Sequence, residues 1–467
     1  MAKTKILATI GPASYDKIDD LVNAGLDGFR INMSHIKDYA FAENLIRGIR
    51  EKHPQLFLTA DLEGPKIRLG ALQKPINIQN GQTIRISPEK DCPTSDVPIQ
   101  LDELYKYVKP GNLLLINDGA AGLRVTDIHG KTIITTVEYG DTLESRKGVN
   151  VPGVHIPLNY FSERDPQHID FLKKAGIDYI FASYALGKEH MLALKEQLTG
   201  TGIKSGAKPE TQHGMDAFSE MLEESDIAMV PRGDLGMEIG VINVPRYQKG
   251  MVLQCNILGK PVVTATQMLE SMMSCKEPKR AEISDIFNAV LDGTDIVMLS
   301  GETSVGNYPV EAVQMMNKTL DEAEKYLFDK GNHVGLGKRL EHYLKAGNPT
   351  DDISRAIYAV ASKDASIKAI ITPTTSGYTP RMISRFRMET PIIALTNNEQ
   401  LYRQLNAVWG VTPAYVKTDT EAMQKYAKKL AATKQLVNPG DKVIITSGLS
   451  LASESTHIMR IETVGSY

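Results

Sequence analysis

Acidic, basic and hydroxyl side chains recur at one kind of place in this sequence, directly after short apolar runs rich in β-branched residues. Arg30, Asn32 and Ser34 close "GFRINMS"; Asp61, then Lys66 and Arg68, follow "LFLTAD"; Lys208 and Glu210 close "GIKSGAKPE". Arg232 and Asp234 close "IAMVPRGD", Thr266 closes "PVVTAT", and Glu302 closes "DIVMLSGE". One polar residue ending a strand is more often a turn or cap residue than a site. Six such ends out of eight, brought together, would make a ring of acids, bases and hydroxyls. The contents of that ring narrow the chemistry. Glu210 and Asp234 are hard oxygen ligands suited to Mg2+, with Mn2+ as the alternative. Arg30 and Arg68 offer planar forks to phosphate, and Lys208 a point charge. The stretch "RGDLG" offers successive backbone amides near a glycine-bearing turn, a seat for a carboxylate. Metal, cations and amides in one place suit a substrate that carries both phosphate and carboxylate. Phosphoryl transfer asks a protein mainly for positioning and charge neutralisation.

These residues need elements that gather them. Apolar runs alternate with segments of helical spacing, giving eight β-α units between residues 5 and 325. Strands with near-continuous apolar character, covered by helices, point to a (β/α)8 TIM barrel, whose reactive groups sit at the C-terminal strand ends. An open doubly wound sheet is the other architecture; eight regular units favour closure. Residues 70–156 differ, with short β runs such as "INIQNGQTIRISP" and "GLRVTDIHGKTIITTVEYG" divided by Gly, Asn and Asp turns. They predict an all-β module inserted after the third barrel strand. The barrel is then 1–69 with 157–334, and 335–467 forms a C-terminal α/β domain of about five strands. In that last domain, Thr374, Thr375, Ser376, Gly377 and Thr379 join a strand to a helix. Hydroxyls and free amides there form either a phosphate cradle or an ordinary helix cap.

Composition bounds the rest. The chain has 467 residues, 42% hydrophobic and 23% charged, with a net charge of −3, so no overall field draws in nucleic acid or anionic lipid. Three widely spaced cysteines argue against a disulfide framework or structural zinc. No leader-like or membrane-spanning run is evident, and the expected location is cytoplasmic.

Read in order, "TKILATIGPAS", "RINMSH", "GPKIR", "RKGVNVPG", "RGDLGMEI", "TATQMLESM", "KRAEISDIFNAVLDGTD" and "LSGETSVGNYPVEAV" resemble the successive signatures of the pyruvate kinase family. The resemblance implies a barrel domain, a β-rich lid and a regulatory C-terminal domain. It implies phosphoryl transfer from phosphoenolpyruvate to ADP, and a homotetramer. Arg30 would hold the substrate phosphate, and Lys208 would act as the catalytic lysine. Glu210 and Asp234 would bind Mg2+. Gly233, Asp234 and Thr266 would seat the carboxylate, Thr266 also helping to protonate the enolate. Arg68, Lys147 and Asp118 would steady the nucleotide. His35 is either a contact for its base or a plain loop histidine. Asn32, Ser34, Asp61 and the carbonyl of Leu62 match the ligands of a monovalent cation. The 374–379 loop would receive a phosphorylated sugar or nucleotide effector.

Departures from the family pattern mark this chain. Asp61-Leu62-Glu63-Gly64-Pro65-Lys66 stands where the family usually has Asp-Thr-Lys-Gly-Pro-Glu. Pro209 and Pro231 remove amides beside the site, and Leu186 stands where an arginine is expected. The resemblance ties lysine at position 66 to activity without K+, the tethered ammonium supplying the charge. Two other readings stay open: a metal-dependent lyase on the same barrel, and a relative impaired by Leu62, Pro209 and Pro231. A lyase has no nucleotide to cover, so the inserted module separates it from the first reading.

Overall fold

The computed structural model describes residues 2–329, 335–344, 347–448 and 456–465. Eight parallel strands close into a barrel: Lys5–Thr9, Gly28–Asn32, Phe57–Asp61, Tyr179–Ser183, Lys204–Lys208, Ile227–Pro231, Val262–Ala265 and Ile296–Leu299. Each pairs with its neighbours in chain order, and the last pairs with the first. The expected barrel is therefore present, and the open sheet is not.

A repeated aspartate sets the register at the N-terminal end. Asp27, Asp178, Asp226 and Asp295 each stand directly before an even-numbered strand. Each accepts the amide of a residue at the start of the preceding strand, at 2.8 Å from Ile6, 2.8 Å from Leu58, 3.0 Å from Ser205 and 3.1 Å from Val262. Each aspartate amide also donates to the carbonyl of that same residue. Staggered strands leave such groups without a ladder partner, and an acidic side chain satisfies them. The barrel interior is filled by Leu7, Phe57, Tyr179, Phe181, Met229, Val263 and Met298. A second layer, including Phe29, Ile31, Ile180 and Val297, packs between strands and helices.

Between the third and fourth strands the chain builds a six-stranded sheet from segments within Thr83–Pro88 to Val149–Asn150, with its own core. A short pair, Ile76–Asn77 with Thr142–Leu143, lies beside it. The chain leaves the barrel through Gly64, at φ 68°, where a Cβ would come within 2.5 Å of the Ser183 carbonyl oxygen. Only glycine fits there. The Glu63 and Gly64 amides are held by Asp165 at 2.9 and 3.1 Å, and Arg164 pairs with Glu63 at 2.7 Å. Asn150 reaches back to Glu238 at 3.0 Å, so both legs of the insertion are tied to the barrel.

The C-terminal sheet has five strands, Ile367–Pro373, Ile392–Thr396, Val411–Tyr415, Lys442–Ser447 and the antiparallel Ile458–Thr463. It is fastened to the base of the barrel. Arg387 pairs with Asp295 at 2.8 Å, Arg403 with Asp178 at 3.0 Å, and the Tyr179 hydroxyl donates to the Gln404 carbonyl at 2.9 Å. All three cysteines are free.

Candidate active site

Side chains alternate along a strand, so a column that is apolar at the base of the barrel continues as interior positions at its mouth. Phe57–Thr59–Asp61, Phe181–Ser183, Gly206–Lys208 and Gly28–Arg30 are such columns. The mouth of the barrel is thus lined by Asp61, Ser183, Lys208 and Arg30. Arg30 donates to Asp61 Oδ2 at 2.9 Å and to Thr9 Oγ1 at 3.1 Å. Lys208 Nζ lies 2.7 Å from Glu210 Oε1, 3.3 Å from Asp61 Oδ2 and 3.2 Å from Ser183 Oγ. Burial opposes charge on Asp61, but Arg30 and Lys208 outweigh it and hold its carboxyl below the usual range. Burial likewise works against the Lys208 ammonium, and Glu210 and Asp61 more than offset it.

Two groups in this cluster are not fully paired. Arg30 Nε and Asp61 Oδ1 are buried and have no hydrogen-bond partner among the described residues. Glu210 is 1% exposed, and burial pushes its pKa up to about 7, with Lys208 opposing and Asp234 adding to the rise. A buried carboxylate with a second one beside it calls for a cation.

Asp234 stands in the first turn of the helix Arg232–Ile239. Its Oδ1 accepts from Lys66 Nζ at 3.0 Å and from the Tyr184 hydroxyl at 3.0 Å. Burial disfavours its charge, yet Lys66 and Lys208 hold its carboxyl far below the ordinary value. Lys66 also lies 3.5 Å from Asp118, and its ammonium sits 5.7 Å from the Tyr184 ring centre. The Tyr184 amide donates to Glu210 Oε2 at 2.8 Å. One residue thus touches both carboxylates that the sequence singled out as metal ligands. Tyr184 was missed because only the other strand ends carried obvious charge; the "SY" closing the fourth strand was the available signal.

Glu210 and Asp234 fit Mg2+. They are hard oxygen donors held together by Tyr184, and no group of three or more His, Cys, Asp or Glu able to hold a metal occurs among the described residues. Two protein carboxylates leave the remaining positions to water and substrate oxygens, the usual arrangement for this ion at phosphate chemistry.

"RGDLG", expected as a turn, is the opening of a helix. Its Gly233 amide donates to Thr266 Oγ1 at 3.0 Å, so the helix start and the end of the seventh strand are locked together. Thr266 adopts φ 65°, a left-handed conformation unusual for a non-glycine residue. Arg232 and Glu302, which end strands six and eight, turn out to hold backbone. Arg232 binds the Ala265 and Thr266 carbonyls and pairs with Asp285, and Glu302 accepts the Leu269 and Ser300 amides.

Of the remaining residues, Asn32 is in register with Asp61, and its Oδ1 accepts the Ser34 amide at 3.2 Å. Leu62 is buried beside them, its amide on the Phe181 carbonyl at 3.0 Å. Lys66, expected at this group, is placed on Asp234 and Asp118. Arg68 donates to the Arg146 carbonyl at 3.3 Å, and Lys147 pairs with Glu144 at 3.0 Å; both lie on the insertion. His35 is exposed at the end of a short turn. In the C-terminal domain, Thr374 Oγ1 accepts the Gly377 amide at 2.9 Å and Ser376 Oγ the Tyr378 amide at 3.3 Å. Thr379 shares a hydrogen bond with Thr456 at 3.0 Å. The loop thus engages the Gly377 and Tyr378 amides at the start of its helix, and Thr375 lies within it.

Comparison with known proteins bears on this arrangement directly. The family description "Pyruvate kinase, barrel domain" matches residues 1–313, and "Pyruvate kinase, alpha/beta domain" matches residues 351–462. A pyruvate kinase of Bacillus licheniformis is 38% identical over all of this chain and 81% of its own length. One of Clostridium acetobutylicum is 38% identical over 99% of this chain and all of its own. The human pyruvate kinase PKLR is 34% identical over 99% of this chain and 85% of its own. With a closed barrel, a paired lysine and two carboxylates at its mouth, and this likeness over its full length, the chain belongs to the pyruvate kinase family and is a phosphotransferase.

Proposed function

We propose that this protein transfers the phosphoryl group of phosphoenolpyruvate to ADP, giving pyruvate and ATP, with Mg2+ on Glu210 and Asp234 and without a need for K+. The observation that carries the reading is Lys208, half-buried at the barrel mouth and held by Glu210 and Asp61. Arg30, with its Nε unpaired, receives the substrate phosphate by charge-assisted hydrogen bonds. An oxygen of the ADP terminal phosphate forms the new bond to phosphorus as the bond to the enol oxygen breaks, leaving the electron pair on that oxygen. Lys208 neutralises charge on the moving group and on the enolate. The methylene carbon then takes a proton. Thr266 Oγ1 accepts the Gly233 amide, so its own hydroxyl proton is directed elsewhere and is available to the carboxylate or to a proton path. When bound, Mg2+ would neutralise phosphate charge alongside these side chains. Arg68 and Lys147, on the insertion, with Asp118, serve the nucleotide, and His35 lines its approach.

Charge counting supports independence from K+. The mouth sets three cations, Arg30, Lys66 and Lys208, against three carboxylates, Asp61, Glu210 and Asp234. Glutamate at position 66 would leave two against four, a deficit that a monovalent cation at Asn32, Ser34, Asp61 and Leu62 would reduce. The effector site at 374–379, the cytoplasmic location and the homotetramer belong to the same reading. Val241 and Ile242, strongly exposed after the Asp234 helix, suit a subunit contact.

The test is ATP formation from phosphoenolpyruvate, ADP and Mg2+ in K+-free buffer. No ATP would sink the reading. Activation by K+ well beyond an ionic-strength control would sink the K+ part alone. Lys66→Glu should lower K+-free activity on the order of tenfold or more, with recovery on adding K+.

A further inference from the structure

Tyr184 stands at the centre of the site with no role assigned to it. It follows the fourth barrel strand directly, at φ 54°. A left-handed conformation costs a non-glycine residue free energy and persists where surrounding contacts enforce it. Here it lets one residue reach two carboxylates: the backbone N–H meets Glu210 Oε2 at 2.8 Å, and the side-chain hydroxyl meets Asp234 Oδ1 at 3.0 Å. The side chain is 6% exposed, so these bonds face little competition from water.

The second donor on Asp234 sharpens the point. Lys66 Nζ lies on the same oxygen, Oδ1, at 3.0 Å, and 5.7 Å from the Tyr184 ring centre. Phenol and ammonium therefore share one carboxylate oxygen, and the ring face gives the ammonium a further attractive surface. A carboxylate with two donors on one oxygen is fixed in rotation, and its other oxygen is kept clear of both. Without the hydroxyl, the flexible lysine is free to slide across Asp234 and compete with a divalent cation for both oxygens.

We infer that Tyr184 is a positioning residue for the divalent metal: its hydroxyl confines Lys66 to Oδ1 of Asp234, and its amide orients Glu210, so that the two carboxylates present oxygens to one ion. The inference rests on the assignment of Glu210 and Asp234 as metal ligands. It makes the hydroxyl, acting through Lys66 and Asp234, a determinant of metal affinity.

Tyr184→Phe removes only that hydroxyl. The measurement is Mn2+ binding to the intact protein without substrates, followed by electron paramagnetic resonance, with Glu210→Gln as the reference. Removing a group that orients a metal ligand weakens metal binding typically 10- to 100-fold, so Tyr184→Phe should weaken Mn2+ binding about tenfold. The metal concentration for half-maximal rate should rise in step, while kcat at saturating metal stays within about twofold. A purely structural tyrosine would change thermal stability and leave Mn2+ binding alone. Mn2+ affinity within twofold of the unmutated protein, with Glu210→Gln impaired, overturns this inference and spares the ligand assignment. Unchanged Mn2+ binding in Glu210→Gln overturns both.

Discussion

The two ends of the barrel treat buried charge in opposite ways. At the base, Asp178 accepts from Arg50 at 2.5 Å, the Leu58 amide at 2.8 Å and Arg403 at 3.0 Å. Asp295 there accepts Arg387 through both oxygens, at 3.0 and 2.8 Å, and the Trp409 and Val262 amides at 3.2 and 3.1 Å. Every carboxylate oxygen of the two aspartates is used, although Arg387 Nε stays without a partner among the described residues, and Arg387 and Arg403 join the C-terminal domain to the barrel. At the mouth the difference lies in the acids: Asp61 keeps one carboxylate oxygen unpaired, and Glu210 is pushed towards neutrality. Closed networks hold the structure together. Open ones retain binding capacity, which is what a site for a charged ligand must do.

Breaking the base should cost stability first. Arg387→Met leaves Asp295 buried without its cation, and such a loss costs about 3–5 kcal/mol. The urea midpoint should fall sharply, while activity per folded molecule survives. Breaking the mouth should do the reverse. Lys208→Met removes a cation aimed at developing charge, and kcat should fall by about 10²- to 10³-fold. It also takes the cation from Glu210 and Asp61, but Arg30 still pairs with Asp61 and Glu210, already raised to about 7, can take up a proton, so the melting temperature should fall by less than in Arg387→Met. A stability loss in Lys208→Met as large as that in Arg387→Met, or a large loss of rate in Arg387→Met, would erase the distinction.

Much of this was legible before the fold was known, and the limit is instructive. Near-continuous apolar runs gave the barrel strands, and the strand-end charges gave Arg30, Asp61, Lys208, Glu210 and Asp234, because both follow from local periodicity. Pairing did not. Lys66 meets Asp234 across 168 residues, a choice set by how the insertion folds back. Arg232 and Glu302 carry the same signal as their neighbours but are spent on backbone carbonyls and amides, which only the loops' paths decide. The 374–379 hydroxyls carry the same double signal, since Thr374 and Ser376 take the Gly377 and Tyr378 amides at a helix start that also suits an anion.

His190 tests whether an unpaired buried group need be functional. It lies on the helix Lys188–Leu198, 1% exposed, stacked on Tyr160 at 5.0 Å with Phe161 edge-on at 5.4 Å. Neither ring nitrogen has a partner among the described residues, and burial lowers its pKa to about 4. The unfolded chain binds this proton below its ordinary pKa of about 6.5, while the folded protein resists until about 4. Stability therefore falls as pH drops from about 6.5 to 4, by about 3 kcal/mol from this group at most. Melting temperatures across that range should show the slope, and His190→Leu should flatten it without touching kcat. An unchanged slope in the variant would assign the acid sensitivity elsewhere.

The smallest effect isolates what the base networks add. Asp178 and Asp226 accept strand amides in the same way, at 2.8 and 3.0 Å. Asp178 also holds Arg50 and Arg403 and is fully buried, whereas Asp226 is partly exposed and pairs with the half-exposed Lys204 at 3.3 Å. Asparagine keeps an acceptor for the amide in both places, so only the charge is removed. At Asp226 that loss should cost about 0.5–1 kcal/mol, the worth of an exposed ion pair. At Asp178 it strands Arg50 of the barrel and Arg403 of the C-terminal domain and should cost several times more, on the order of 3 kcal/mol. Equal losses in Asp226→Asn and Asp178→Asn would mean that the amide bond dominates and that the arginines contribute little. A wide gap would place the cost in the pairing of Asp178 with Arg50 and Arg403, a buried carboxylate with both oxygens engaged, which Asp61 at the mouth is not.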